Sequence, residues 1–407
     1  MRTFRLSSYW LGSKGLRAVF EVLDAEGEAR VVGGAVRNSL LGRPLGDIDI
    51  ATTLTPDRVA SIAQRAGFAV HETGLAHGTL TLVAEGQPFE VTTLREDVST
   101  DGRRATVRFT EDWSIDAGRR DFTMNALYVD AQGTLYDYVG GYRDCLDGLV
   151  RFIGDPEQRI VEDHLRILRF FRIQAAYGRT GMDDASLSAV LANKELVATL
   201  PAERVLNEMR RLVTAPRASE IVALMAEHDV LAPFIPGGIS PAGFTAMLQA
   251  ERAGGRVVKP ALAFLALVGF DATAFEALAD RLKFSRKMRR RGLAALAASE
   301  GQPPQSVPHL RVLLYEHGRE AFVDGLMVAR ARGATVADLG VILAETRRWS
   351  RPRLPVGGHD LLRQGGQSGV VLGERLAHLE SIWRESDFSL SRNALLEMDR
   401  ERDVTKN

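Results

Sequence analysis

Residues 45–50 read Leu45-Gly-Asp-Ile-Asp-Ile50, and this stretch decides the fold of the first half of the chain. Its alternation of acidic and apolar residues predicts a β-strand, because successive side chains of a strand point to opposite faces. Asp47 and Asp49 are therefore expected on one face, with Ile48 and Ile50 on the other. Two neighbouring carboxylates repel each other unless a cation lies between them, and Mg²⁺ prefers carboxylate oxygens. The alternative is a pair of exposed acids at a sheet edge.

The residues before this strand predict a phosphate-binding turn. A short apolar strand, Arg30-Val-Val32, is followed by Gly33-Gly34 and by Ala35–Leu41, whose composition is helical and which Gly42 closes. A helix that begins at two glycines presents bare backbone N–H groups and its positive dipole end to an anion. Arg37 lies in the first turn and can add a bidentate guanidinium. A phosphate cradle followed by a metal-binding acid pair indicates a nucleotide site.

The composition bounds the class of protein. The chain has 407 residues, 45% of them hydrophobic and 26% charged, which is enough for two or more globular domains. Its formal net charge is zero, so any RNA contact must come from local basic patches. The single Cys145 excludes an intrachain disulfide and a cysteine zinc site, which fits a cytoplasmic location. We expect no membrane span, because no apolar run reaches about 18 residues, and no export signal, because Met1–Ser13 has no signal-peptide core.

A third acid and an arginine-rich motif follow in the chain. Glu90 lies on the predicted strand Pro88–Leu94, either as an outward polar residue or as a third carboxylate that faces Asp47 and Asp49. The motif Arg119-Arg120-Asp121-Phe-Thr-Met-Asn125-Ala contains cations and acceptors that suit a nucleotide. Arginines bind triphosphate oxygens, and Asp or Asn can hold ribose hydroxyls. A surface ion pair is the simpler alternative.

A long helix is predicted from Asp155-Pro156 to Tyr177, ending at Gly178. It carries Glu162-Asp163-His-Leu-Arg166, in which Asp163 and Arg166 would share a helix face. They would form either an intrahelical ion pair or a base-reading pair. A carboxylate accepts from the amino group of cytosine or adenine while a guanidinium donates to the ring nitrogen. Uracil and guanine present the opposite polarity, and a buried mismatch of this kind is costly.

These motifs resemble those of the class II CCA-adding enzymes and bacterial poly(A) polymerases, which are template-independent RNA nucleotidyltransferases of the polymerase β superfamily. The resemblance rests on 33–42 with Asp47-Ile-Asp49, on 119–126 and on 162–166. It departs from the family at Asn38, where Asp is usual. It implies an α+β head of polymerase β nucleotidyltransferase type, with a small mixed sheet and helices, followed by an all-α neck, body and tail. The expected domains are 1–150, the catalytic head; 151–215, the neck that recognises the base; and 216–407, the body and tail that bind tRNA.

The resemblance also implies an activity and a site. The activity is addition of C and A nucleotides to the 3′ end of tRNA from CTP and ATP, with two Mg²⁺ ions on Asp47 and Asp49 and with Glu90 as a further catalytic acid. The expected nucleotide-binding residues are Gly33, Gly34, Arg37, Arg120, Asp121, Asn125, Asp163, Arg166 and Arg169. In the second half of the chain, a basic run is either a solvated helix face or a contact to the tRNA backbone. Its residues are Lys283, Arg286, Lys287, Arg289 and Arg290.

Three other functions stay open at this point. Poly(A) polymerases share the head motifs, but they usually carry a basic aromatic segment after the acid strand, where this chain has Phe68–Gly74. Specialists that add only CC or only A are similar, and those that add only CC lack the loop that Arg95–Val107 predicts here. This polar stretch indicates a mobile loop between strands. A catalytically inactive RNA-binding protein is the alternative from another class.

Overall fold

The computed structural model describes residues 4–100, 105–364 and 369–404. The chain divides into two compact units, Met1–Pro236 and Gly237–Asn407. The finer division into head, neck, and body with tail stays a prediction.

The first unit is built on a mixed sheet of eight strands and a separate two-stranded ribbon. In chain order, the strands are β1 (Phe4–Arg5), β2 (Ala29–Val32), β3 (Asp49–Thr52), β4 (Ala69–Gly74), β5 (Thr79–Ala84), β6 (Gln87–Thr93), β7 (Arg95–Thr100), β8 (Ala105–Phe109), β9 (Leu127–Val129) and β10 (Thr134–Asp137). The sheet has the order β1-β10-β9-β2-β3-β6-β5-β4, and all its neighbours are antiparallel except β3 and β6, which are parallel. The antiparallel ribbon consists of β7 and β8.

Five helices accompany these strands, and five more complete the first unit. They are α1 (Lys14–Asp24), α2 (Gly34–Leu40), α3 (Pro56–Arg65), α4 (Trp113–Gly118), α5 (Gly141–Asp147), α6 (Pro156–Glu162), α7 (Leu165–Tyr177), α8 (Asp184–Ala192), α9 (Ala202–Leu212) and α10 (Ala218–Glu227). Short 3-10 helices lie at Tyr9–Gly12, Leu75–His77, Thr123–Asn125 and Lys194–Thr199. Helices α1 and α3 pack against β5, and the buried Ile50, Leu82 and Phe89 contribute to the core of the sheet.

The described elements of the second unit are all helices. They are α11 (Pro241–Ala253), α12 (Pro260–Leu267), α13 (Ala272–Arg281), α14 (Arg286–Ala298), α15 (Val307–His317), α16 (Arg319–Ala331), α17 (Leu339–Arg348), α18 (Gly358–Arg363), α19 (Val370–Glu385) and α20 (Arg392–Val404). No single described helix has both the length and the apolar character that a bilayer crossing needs; α12 and α13 meet those criteria only as a pair, across a bend of 116°. The predicted α+β first part and all-α remainder are confirmed.

Two predictions about local structure are wrong. The helix predicted from 156 to 177 is broken into α6 and α7, because Asp163 has an extended backbone with φ −153° and ψ 104°. The segment predicted as a loop over 95–107 forms β7 and β8, in which Arg95 pairs with Phe109. Residues 101–104 of the predicted loop lie outside the described residues.

Candidate active site

A cavity of about 580 Å³ in the first unit brings the predicted motifs together. Ten of the residues expected from the sequence line it: Gly33, Gly34, Arg37, Asp49, Arg120, Asp121, Asn125, Asp163, Arg166 and Arg169. Asp47 and Glu90 do not line it. Eight arginines and five acidic side chains surround the cavity. It is therefore suited to a polyanion.

The acid strand has the predicted alternation. Ile48 and Ile50 are buried, Asp47 is exposed and Asp49 is half-buried. Strand β3 begins at Asp49, so Asp47 lies in the segment just before the strand. Glu90 is the direct partner of Asp49 in the parallel pair of β3 and β6. Because residues in register on neighbouring strands point to the same face, the Glu90 carboxylate lies beside that of Asp49.

The carboxylates of Asp47, Asp49 and Glu90 are not neutralised by ion pairs with the described residues. Among the described residues, no hydrogen bond or ion pair is made by the side chains of Asp47, Asp49 or Glu90. Burial first, and then the charge of the neighbouring Glu90, raise the pKa of Asp49 to about 6. In the described part of the chain, no three His, Cys, Asp or Glu side chains converge as a preformed metal site. Mg²⁺ needs no such cage, because it is commonly held by one or two carboxylates together with substrate phosphates and water. The oxygen-only donors Asp47 and Asp49 fit that pattern.

The glycine turn takes the predicted form. Gly33 precedes α2 with a φ of +76°, a conformation that other residues rarely adopt. Two guanidinium groups approach the turn: Arg37 Nη2 lies 3.7 Å from the position of a Cβ on Gly34, and Arg120 Nη1 lies 4.0 Å from that position on Gly33. The turn therefore combines close backbone access with two cations.

Arg37 is buried and held by neutral partners. Its guanidinium donates to Asn125 Oδ1, to Tyr177 Oη at 2.7 Å and to Asn38 Oδ1 at 3.2 Å. It also stacks on the Tyr177 ring, 3.7 Å from the centroid. Burial lowers the pKa of Arg37 from its ordinary value. Because none of its hydrogen-bond partners is a carboxylate, Arg37 keeps a positive charge that an anion in the cavity can neutralise.

Asp121 is the centre of a second set of contacts. One carboxylate oxygen accepts from Asn125 Nδ2 at 3.1 Å and from the Phe122 backbone N–H at 2.8 Å, and the other accepts from Arg169 Nε at 2.7 Å. Burial opposes ionisation, but the Arg169 guanidinium and the hydrogen bonds from Asn125, Arg169 and the Phe122 N–H together outweigh it and hold the pKa of Asp121 at about 2. Both oxygens are engaged, so in this structure Asp121 orients Asn125 and Arg169 toward the cavity.

The acid–arginine pair of the neck is arranged differently from the prediction. Asp163 lies in the break between α6 and α7, where Oδ1 accepts from the Leu165 backbone N–H at 3.1 Å and Oδ2 accepts from Arg204 at 2.9 Å. Arg166 donates to Glu162 at 2.7 Å and to the Arg119 carbonyl at 3.1 Å. The prediction that Asp163 and Arg166 share a helix face is therefore wrong. Each is instead fixed by its own partner, and both line the cavity.

Asp116 is the most important residue that the sequence reasoning missed. It is buried on α4, and it accepts hydrogen bonds from Arg119 at 2.6 Å, from Arg120 at 3.0 Å and from the Tyr128 hydroxyl at 2.8 Å. Burial opposes its ionisation, but Arg120 and Arg119 keep the pKa of Asp116 below its usual range. The signal was present in the sequence, because an acid three and four residues before two arginines has the spacing of one helical turn, over which such side chains can pair.

Two other lining residues, both on β7, had no clear signal in the sequence. Arg95 and Asp97 of β7 both line the cavity, and buried polar atoms of each, Nε and Oδ1, have no hydrogen-bond partner among the described residues. Burial lowers the pKa of Arg95 to about 10. Arg172 also lines the cavity, and it pairs with Glu208 of α9.

The predicted RNA-binding run lies in the second unit and divides into two kinds of residue. Arg286, Lys287 and Arg290 are exposed on α14, whereas Arg289 pairs with Glu276 at 3.2 Å and with Asp280. Lys283 lies just before α14 and is exposed. The neighbouring Phe284 packs on Phe264 and Phe275, so its ring is part of the core.

Comparison with known proteins gives consistent results over the whole chain. The family model described as "Poly A polymerase head domain" matches residues 29–151, and "Probable RNA and SrmB- binding site of polymerase A" matches residues 181–239. The mitochondrial CCA tRNA nucleotidyltransferase 1 of Danio rerio is 35% identical over 399 residues, which cover 95% of this chain and 89% of that protein. The CCA-adding enzyme of Geobacillus thermodenitrificans is 40% identical over 212 residues, which cover 52% of this chain and 51% of that protein.

A solved structure agrees with these matches. The Bacillus stearothermophilus CCA-adding enzyme in complex with CTP has a TM-score of 0.78 and 27% identity to this chain, with 97% of this chain and 99% of that one covered. The fold, the shared motifs and the relative that matches along nearly the full length lead to one conclusion. This chain belongs to the family of CCA-adding tRNA nucleotidyltransferases.

Proposed function

We propose that this protein is a metal-dependent tRNA nucleotidyltransferase that adds C and A residues to the 3′ end of tRNA from CTP and ATP, without a nucleic-acid template. One observation carries the proposal: a single cavity holds the Gly33–Gly34 turn, the acid Asp49 and the pair Asp163 and Arg166. In each cycle the 3′-hydroxyl of the RNA attacks the α-phosphate, a P–O bond forms and pyrophosphate leaves.

The triphosphate would bind at the glycine turn. The guanidinium groups of Arg37 and Arg120 both lie close to that turn, and neither needs to move far to reach a phosphate placed against it. Asp116 and Asn125 hold these guanidinium groups in place before the substrate arrives. A preorganised arrangement of this kind favours catalysis, because little reorganisation is needed when charge develops in the transition state.

The acid strand would hold the metal. Asp47 and Asp49 are the ligands we propose for two Mg²⁺ ions, and Glu90 is the third acid of the catalytic group. When bound, Mg²⁺ would supply the lowered pKa of the attacking hydroxyl and the neutralisation of charge on the triphosphate.

Base selection would belong to Asp163 and Arg166. The three hydrogen bonds that Arg166 makes to Glu162, Arg159 and Arg119 use three of its five N–H groups, so two remain for a ligand. Each oxygen of Asp163 accepts one hydrogen bond in the structure and can accept another. A cytosine or adenine edge satisfies both side chains, and uracil or guanine leaves both unpaired.

The rival functions have less support. The Danio rerio relative that matches over 95% of this chain is named as a CCA tRNA nucleotidyltransferase rather than as a poly(A) polymerase. The family resemblance assigns residues 95–107, part of which form β7 and β8, to the loop that enzymes adding only CC lack, and this favours complete CCA addition. A cytoplasmic site of action is part of the proposal, supported by the single buried cysteine, Cys145.

The decisive experiment sizes the products made on a tRNA that lacks its 3′ end. With CTP and ATP we expect three added nucleotides, and with UTP or GTP none. One or two added nucleotides would indicate a specialist, and a ladder would indicate a poly(A) polymerase. Asp49→Ala should abolish incorporation and leave tRNA binding nearly intact; continued turnover in this variant would contradict the metal role.

A further inference from the structure

A second cavity, of about 550 Å³, lies entirely within the second unit. Its walls come from the segment after α11 and from α14, α16 and α17. None of the residues discussed for nucleotide binding belongs to it. The described residues that line it are rich in basic side chains and include no aromatic residue.

The floor of this cavity is a chain of ion pairs around Asp324. Asp324 is only 1% exposed, and it accepts from Arg291 Nε at 2.7 Å on one oxygen and from Arg256 on the other. Arg256 also donates to the buried Glu251 at 2.7 Å, and Arg291 contacts Glu320 at 2.7 Å. A buried carboxylate that accepts from two guanidinium groups fixes their positions. Desolvation of these charges is unfavourable and is offset only when the geometry of the ion pairs is good. These two arginines therefore form a rigid wall.

The basic side chains at the rim differ from the two arginines of the floor in being exposed and unpaired with a carboxylate among the described residues. Lys259, Arg319 and Arg347 line the cavity, are exposed, and make no ion pair with a carboxylate within the part of the chain that the structure describes. Arg319 is nevertheless held in place, because it donates to the Trp349 carbonyl at 2.7 Å and to the Arg347 carbonyl at 3.3 Å. The lining therefore has five basic residues and two acidic ones, and the excess positive charge lies at the opening. A concave site of this sign concentrates anions.

We propose that this cavity binds phosphodiester groups of the tRNA backbone, an inference that rests on the proposed function. The described lining residues include no aromatic side chain on which a base could stack, and the two oxygens of Asp324 already accept from Arg256 and Arg291 instead of facing a ligand. Its uncharged walls, formed by residues such as Val257, Val323 and Leu343, suit the apolar edge of a ribose. Backbone contacts of this type position an RNA without reading its sequence, and they supply much of its affinity.

The test uses the full-length protein and measures tRNA binding as salt is raised from about 50 to 200 mM. The double variant Lys259→Ala, Arg347→Ala should bind about tenfold more weakly than the parent. The slope of log affinity against log salt should fall by about 1 for each phosphate group that the variant no longer binds. Arg252→Ala is the matched control, because Arg252 is exposed on α11 but does not line the cavity. It should leave affinity and slope unchanged.

Further measurements distinguish tRNA binding at this cavity from the proposed catalytic function and from binding of a free anion. Single-turnover addition of C at saturating tRNA should proceed in the double variant at the parent rate. Lys259→Glu should weaken binding more than Lys259→Ala, because charge rather than shape is responsible. Parent affinity and slope in the double variant would overturn the site while leaving nucleotide addition intact. If the double variant changes inhibition by inorganic pyrophosphate but not tRNA binding, the cavity binds a free anion and the RNA proposal is overturned.

Discussion

At the scale of the residue, Asp49 shows how an acid proposed to bind metal opposes the stability of its own fold. The parallel pairing of β3 and β6 places Glu90 beside it, and burial together with this charge raises its pKa to about 6. An ordinary aspartate titrates near 3.8. The folded protein therefore binds the proton more tightly than the unfolded chain does, and stability falls as the pH rises through this interval. The same unpaired charge is what a cation needs.

Asp49→Asn should therefore stabilise the metal-free protein in a pH-dependent manner. Above about pH 6, the variant should be more stable than the parent by on the order of 1–2 kcal/mol, because the opposing charge is gone. The difference should vanish below about pH 4, where the parent carboxyl is protonated in both states. Thermal unfolding in the presence of a chelator measures it. Glu72→Gln, a change at an exposed acid of β4, serves as the control, and equal stability of Asp49→Asn and the parent at alkaline pH would refute the account.

Asp116→Asn should damage the site without touching the substrate. Loss of this buried charge leaves Arg119 and Arg120 uncompensated, so the free energy of unfolding should fall by about 3 kcal/mol. The displaced Arg120 should lower kcat/KM for CTP by roughly 10- to 100-fold. Steady-state kinetics and chemical denaturation provide the two measurements. Asp112→Asn is a matched control, since Asp112 only caps α4 and Asn caps equally well; a parent-like kcat/KM in Asp116→Asn would show that Arg120 needs no support.

At the scale of the element, the sequence predicted those features that depend on neighbouring residues. The alternation of residues 47–50 and the glycine turn before α2 both follow local rules, and the structure confirms both. The break at Asp163 could not be predicted in this way. Residues 155–177 have good helical composition, but the Asp163 carboxylate binds the Leu165 N–H and Arg204 of α9, and these contacts favour an extended backbone. One of these two partners, Arg204, is 41 residues away in the sequence, beyond the reach of local rules.

The ribbon of β7 and β8 was missed for a related reason. Its polar and charged composition is typical of a loop, but Arg95 and Asp97 point into the cavity while the strand pairs with residues 105–109. Periodicity cannot reveal a strand whose inward residues are charged, because the expected alternation of apolar and polar residues is absent. Charged residues in a local structure that breaks the usual pattern are often found at functional sites.

Arg204→Ala tests the role of the α6–α7 break. Arg204 on α9 donates to Asp163 Oδ2 at 2.9 Å, so its removal should loosen the acid that is proposed to accept the amino group of the base. We expect preference for CTP over UTP to fall about tenfold, because each nucleotide then meets a less ordered acceptor. Competition between labelled nucleotides measures the ratio. Arg210→Ala, an exposed change on the same helix, should have no effect, and an unaltered CTP/UTP ratio in Arg204→Ala would exclude a positioning role for Arg204.

At the scale of the whole molecule, composition predicted more than one domain but could not predict where the boundary between them lies. A length of 407 residues and zero net charge indicated several domains and local RNA contacts, and the structure shows two compact units that meet in sequence at Pro236 and Gly237. Each has a hydrophobic cluster of its own, around Trp113 and Tyr128 in the first unit and around Tyr315 and Trp383 in the second. Among the described residues, those that line the cavity proposed for the nucleotide all belong to the first unit, and those that line the proposed phosphodiester site all belong to the second.

This division predicts how nucleotide binding changes thermal stability. Two separate cores should give two unfolding transitions in calorimetry. CTP with Mg²⁺ should raise the midpoint of only one transition, because the ligand binds the folded first unit and does not bind the second. At about 100 times its Kd the ligand adds roughly 2.7 kcal/mol, which corresponds to a shift of several degrees in a unit of this size. In Arg166→Ala the shift should shrink, since the guanidinium no longer holds the base, and UTP should move the parent transition less than CTP. If a single transition moves as a whole, the two units unfold cooperatively and the ligand stabilises the entire chain.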